Sequence, residues 1–216
     1  YSWASTGRQL YEDYDYATGN TKNYTLSLPG IVPEDSVWLT TVFAARSIGA
    51  STYYSVAVNG KVRGNATLAS ISSDNQYYTR ATSASISTSW LGTESENTIV
   101  TVIHTRPSGT SGRLDYIALN YIRSLTLNAP YLTFRSLASI NKETTFVLSG
   151  ATASTVVWDV TDPANICRME GSFVGGTYTF TIPAGKLREF VAITPEASGF
   201  DTVETVGNIA NQNLHS

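Results

Sequence analysis

The chain has 216 residues, 42% of them apolar and 14% charged, with a formal net charge of −3 and no block of like charge. That length suits one large β-domain or two of ordinary size, and the composition excludes a disordered chain. It also points away from nucleic acid and from an anionic membrane as partners. Aromatic residues make up 11%, including 13 Tyr and 4 Trp in a Ser/Thr-rich background, which reads as sheet. Residues 1–20 are aromatic and acidic. Tyr24, Leu26 and Leu28 then alternate with Thr25 and Ser27, predicting a half-buried strand that ends at Pro29-Gly30. Residues 37–46 (VWLTTVFAAR) form a second strand. Residues 53–58 run into Asn59-Gly60, a hairpin signal, and residues 61–63 begin the return. Weaker strands are expected at 67–71 and 77–86, and a well-alternating one at 98–106.

Residues 114–127 (LDYIALNYIRSLTL) make the longest run readable as one strand. Ile117, Leu119 and Tyr121 share one face, and Tyr116, Ala118 and Ile122 the other. Apolar residues on both faces predict a strand covered on both sides, at the centre of its sheet. Shorter strands follow at 131–135, 144–148, 155–160, 177–182 and 186–193. Ser149-Gly150, Asp162-Pro163, Gly175-Gly176 and Pro183-Ala184-Gly185 punctuate them, a spacing that predicts a sandwich. The reading is therefore all-β, with two β-sandwich domains. Residues 1–127 would be jelly-roll-like, and 128–205 smaller and immunoglobulin-like. Residues 206–216 (VGNIANQNLHS) read as a linker toward a further domain. The chain begins at Tyr1 without Met, no signal peptide precedes it, and its only Met is Met169, so a processed or excised piece of a longer protein is expected. No apolar run approaches transmembrane length, so no direct membrane insertion is expected.

Catalytic groups are scarce. His104 alternates with Val100 and Val102 and reads as a sheet residue. Cys167, the one cysteine, excludes an internal disulfide and reads as a small buried apolar group. A dyad of the two would have to cross between the proposed domains. His215 lies in the tail. There is no G-x-S-x-G, H-E-x-x-H or P-loop, so no catalytic residue and no cofactor is expected. Glu12, Asp13 and Asp15 are the candidates for calcium, but they lack further ligands and the glycine of a calcium loop, and no metal is expected. Glu94 and Glu96 are carboxylates of the kind any acidic loop supplies. Sugars stack their C–H faces on exposed aromatic rings. Trp38 and Trp158 lie within strands and read as core. Trp3 and Trp90 sit in polar surroundings and are the candidates for ligand stacking. Asn23-Tyr24-Thr25 and Asn65-Ala66-Thr67 match the N-glycosylation pattern, which is short enough to arise by chance.

Four segments in order carry a family resemblance: SGRLDYIALNYIRSLTL, VVWDVTDPANI, LREFVAI and VGNIANQNLHS. Together they resemble the PorU-type C-terminal signal peptidases, or sortases, of the type IX secretion system, a gingipain-related cysteine peptidase family. The resemblance covers about 36–216. It implies a β-sandwich region preceding a downstream peptidase domain, with the family's catalytic His and Cys in that domain. Neither His104 nor Cys167 stands in a matching context. The implied setting is the cell surface or outer membrane of a Gram-negative, Bacteroidetes-type bacterium. The implied partners are the downstream domain, secreted cargo proteins and other secretion components. The function it implies is that of a non-catalytic accessory region that helps position cargo, with an exposed sheet edge able to add an extended segment as a strand. Two other readings compete: a carbohydrate-binding module or surface lectin, and an adhesin-type stack of sandwiches.

Overall fold

The computed structural model describes residues 10–72, 81–92, 97–201 and 207. The chain is all-β, and a short 3-10 turn, Leu137–Ile140, is the one helical element among the described residues. It divides into two compact units, Tyr1–Ser124 and Leu125–Ser216.

The first unit holds β1 (Thr21–Ser27), β2 (Ser36–Arg46), β3 (Thr52–Val58), β4 (Lys61–Leu68), β5 (Thr82–Leu91), β6 (Asn97–Thr105) and β7 (Ser111–Tyr121). They form two antiparallel sheets, ordered β1-β6-β3-β4 and β5-β2-β7. Successive strands alternate between the sheets except at the β3-β4 hairpin, which stays within one sheet, an arrangement close to a jelly roll. The facing surfaces share one core: Leu39, Phe43, Ile86 and Leu114 from one sheet meet Tyr54, Val56, Val100 and Val102 from the other. The hairpin at Asn59-Gly60 has the positive φ at both positions (47° and 80°) that a type I′ turn requires. The expected weak strand at 67–71 is instead the end of β4, followed by a lone bridge from Ile71 to Ile48.

Two bulges shape this unit. Val56 pairs with Gly64 and Ala57 with Val62, leaving Arg63 as the extra residue. Its guanidinium lies 4.2 Å from the Trp90 ring centroid. Beside it, a Cβ on Gly64 would meet Ile86 Cγ2 at 2.5 Å, so glycine lets β4 approach β5 and close that side of the sandwich. On β2, Val42 pairs with Tyr116 and Phe43 with Leu114, which leaves Asp115 extra.

The run at 114–127 is not one central strand. β7 ends at Tyr121, and β2 is the centre of its sheet. Beyond Tyr121 the chain bridges Arg123 to Ile31, while Leu127 is buried in the second unit's core and Leu125 packs against it. Tyr116 and Ile122 face solvent. An antiparallel sheet packs one face on the core and leaves the other wet, so apolar residues on both faces do not imply cover on both sides. The far edge of β7 is capped by single chain segments: the amides of Glu12 and Tyr16 donate to the carbonyls of Leu114 and Gly112, and Val32 donates to Ile122.

The second unit holds β8 (Tyr131–Arg135), β9 (Thr144–Ser149), β10 (Val156–Asp159), β11 (Cys167–Arg168), β12 (Ser172–Val174), β13 (Thr177–Ile182) and β14 (Glu189–Ile193). The sheets run β11-β10-β14-β8 and β12-β13-β9. Phe134, Phe146, Phe180 and Phe190 knit them together, with ring centroids 5.0–6.2 Å apart. These separations fall in the range where aromatic pairs attract beyond simple burial.

Candidate functional site

His104 is sealed in the first core. On β6 it points inward with Val100 and Val102, and it is 1% exposed. Its ring stacks on Tyr54 at 4.1 Å, Tyr54 stacks on Phe43 at 4.2 Å, and Tyr16 meets both Tyr54 and His104 edge-on. Gly112 closes the pocket: a Cβ there would come within 3.0 Å of the His104 ring and the Tyr54 hydroxyl. Among the described residues, neither imidazole nitrogen has a hydrogen-bond partner. Burial pushes the ring's pKa down to about 4, Arg106 pushes the same way, and Asp15 opposes. A general base must reach the proton it takes, and this ring reaches none. Cys167 belongs to the other unit. It is not buried, as the sequence suggested, but exposed on the two-residue strand β11, its thiol 3.6 Å from the Asn165 carbonyl.

Glu12 and Asp15 of the acidic cluster are committed to internal partners. Glu12 accepts from Lys22 and from the Tyr24 hydroxyl. Asp15 accepts from the amides of Ala17 and Gly112, from the Ser111 hydroxyl and from Arg113. Burial works to raise the Asp15 pKa, but these donors and the Arg113 charge together hold it below the usual carboxylate range. Arg113 also donates to the carbonyls of Glu12 and Asp13. This network ties residues 12–24 to β7. Among the described residues no group of three or more His, Cys, Asp or Glu is placed to hold a metal ion. Glu94, Glu96, His215 and Trp3 lie outside the described residues.

The tryptophans change places. Trp90, in polar surroundings, is a sequence candidate for an exposed stacking ring. Instead β5 runs to Leu91, so Trp90 shares the inward alternation of Ala84 and Ile86 and lies half-buried beneath Arg63. Trp38, expected in the core, is 43% exposed. The inward positions of β2 are Val37, Leu39, Thr41 and Phe43, so Trp38, Thr40 and Val42 point out. Trp158 is likewise half-buried, because Val157 takes the inward position on β10.

Pair register then defines a patch on the outer face of the β5-β2-β7 sheet. Trp38 lies between Ser89 and Asn120, Thr40 between Ser87 and Ala118, and Val42 between Ser85 and Tyr116. Ser85, Ser87 and Ser89 are all exposed, and Tyr116 is 48% exposed. None of these nine positions carries a charge. The alternation VWLTTVF contained the signal for this patch, since it sets Trp38 against Val37 and Leu39.

No family model matches the chain, and no curated protein matches it. Among solved structures, it is similar to dimeric latent PorU from Porphyromonas gingivalis, with a TM-score of 0.74 at 20% identity, covering 87% of this chain and 19% of that one. The chain thus spans about a fifth of that protein's length. The sugar-binding C-terminal domain of EclA is similar at a TM-score of 0.35 and 13% identity, over 56% of this chain and 89% of that one. The N-terminal CBM22 tandem of Paenibacillus barcinonensis Xyn10C is similar at 0.26 and 10%, over 79% and 75%. These last two scores carry no argument. The first is a likeness of fold, and the chain has a PorU-like fold.

Proposed function

We propose that this chain is a non-catalytic accessory region of a cell-surface cysteine peptidase that removes C-terminal sorting domains from type IX secretion cargo. The observation that carries this reading is the PorU-like fold over 87% of the chain. The placement of its own reactive groups supports it, since His104 is enclosed in aromatic rings and Cys167 is exposed in the other unit. In this reading the peptidase domain follows the region in the same protein, and the sandwiches brace it and position cargo. The protein is exported to the outer membrane surface of a Gram-negative bacterium, where cargo and other secretion components meet it.

An antibody to residues 1–216 would capture the native protein for intact-mass and peptide analysis. A mass far above 23.3 kDa, with peptides continuing into a peptidase domain and sorting-domain cleavage by the captured protein, is the expected result. A native mass near 23.3 kDa, or no cleavage by the larger protein, would overturn the reading. Normal cleavage by a parent lacking residues 1–124 would remove cargo positioning from it.

A further inference from the structure

The geometry points to the outer face of the β5-β2-β7 sheet as a binding site for a neutral oligosaccharide, stacked on Trp38 and Tyr116. Tyr116 stands opposite Val42, four residues along β2 from Trp38 and one strand over. At about 3.4 Å per residue the two rings are anchored about 14 Å apart, so one monosaccharide does not span them and an extended chain does. Between them lies a floor of short side chains, Thr40, Val42 and Ala118, which leaves room for sugar rings to lie flat. Ser85, Ser87 and Ser89 line one margin with exposed hydroxyls, and the Asn120 amide stands beside Trp38. Hydroxyls and an amide donate and accept alike, as a polyhydroxylated ligand requires. Short side chains also lose little conformational freedom when they bind.

Charge selects the ligand class. With no Lys, Arg, Asp or Glu on the patch, nothing there offsets the desolvation of a phosphate, carboxylate or ammonium group. A protein partner fits less well. Interfaces are depleted in Ser, and Ser and Thr are under-represented among their energetic centres. The inference is independent of the peptidase reading, and either can fail alone.

The test uses the 216-residue chain, with cellohexaose, mannohexaose and isomaltohexaose as neutral probes and a hexagalacturonate as the charged comparator. Binding is read by calorimetry and by Trp fluorescence. Trp38→Ala and Tyr116→Ala remove exposed rings and should leave the fold intact, which circular dichroism checks. Tyr53→Ala, 52% exposed on the other sheet, is the control. At least one neutral probe should bind, each patch variant should weaken it about tenfold or more, and Tyr53→Ala and the charged probe should show no effect and no binding. The proposal is overturned if no neutral probe binds, if the patch variants bind as the parent does, or if Tyr53→Ala weakens binding equally. Self-association in sedimentation that Trp38→Ala abolishes would also overturn it and assign the patch to a second copy.

Discussion

At the scale of single residues, the first unit carries two acid-sensitive groups in one place. His104 folds as a neutral ring with a pKa of about 4 against an ordinary 6.5. The unfolded chain therefore binds the proton more readily between those values. The His104 contribution is full above pH 6.5 and is lost as the pH falls to 4, on the order of 3 kcal/mol across the window. Asp15, whose pKa is lowered, loses its contribution in the same direction as the pH falls. Urea unfolding at pH 7 and pH 5 separates the two. His104→Leu should cost less than about 1.5 kcal/mol at pH 7 and flatten most of the difference between the two pH values. An unchanged slope would assign the acid sensitivity elsewhere. Asp15→Ala removes the carboxylate that accepts from the Gly112 amide and from Arg113, and should cost about 2–3 kcal/mol in the same assay.

Strands and turns were largely readable, and the turn residues make the next test. Gly60 sits at φ 80° with no atom near where a Cβ would be. Gly60→Ala should thus cost about 1 kcal/mol through backbone conformation alone, seen as a lower urea midpoint with an unchanged slope. Alternation located β2, β6, β8, β9 and β13 almost to the residue, because each repeats its inward position several times. It failed where the pattern was short or misleading. β11 and β12 hold two and three residues and offer no period to read. In TVVWDV around Trp158, the phase of Val156, Trp158 and Val160 is the more apolar, yet Thr155 and Val157 took the inward positions. The bulge at Arg63 has no signature beyond Gly64. The outward Trp38 was legible from its buried neighbours Val37 and Leu39, but its own apolar bulk argues for core and works against that alternation. The aromatic patch around it was therefore missed, although its register partners follow directly from pairing.

As a whole the molecule has two separate aromatic-centred cores, and damage to one should stay within its unit. Phe180→Ala removes a ring that touches Phe134, Phe146 and Phe190, a loss of about 3–5 kcal/mol. Native-state hydrogen exchange should show faster exchange in β9 and β13 while β2, β3 and β6 keep their protection. Equal loss in β2 would mean that the units unfold as one.

The network that ties residues 12–24 to β7 also sets an order of events. Arg113 grips the Glu12 carbonyl across 101 positions of chain, and the Tyr16 ring lies in a core that β7 completes. Closing so long a loop precedes any reward from the contacts it brings, and chains dominated by such contacts fold slowly. During synthesis the earliest residues of this unit emerge long before their partners at 111–114. The rim of the half-made sheet then stays bare until translation reaches β7. A ribosome-bound chain stopped short of Ser111 should accordingly be open to proteases throughout the unit, and one extended far enough past Ser124 for β7 to clear the ribosome should become resistant.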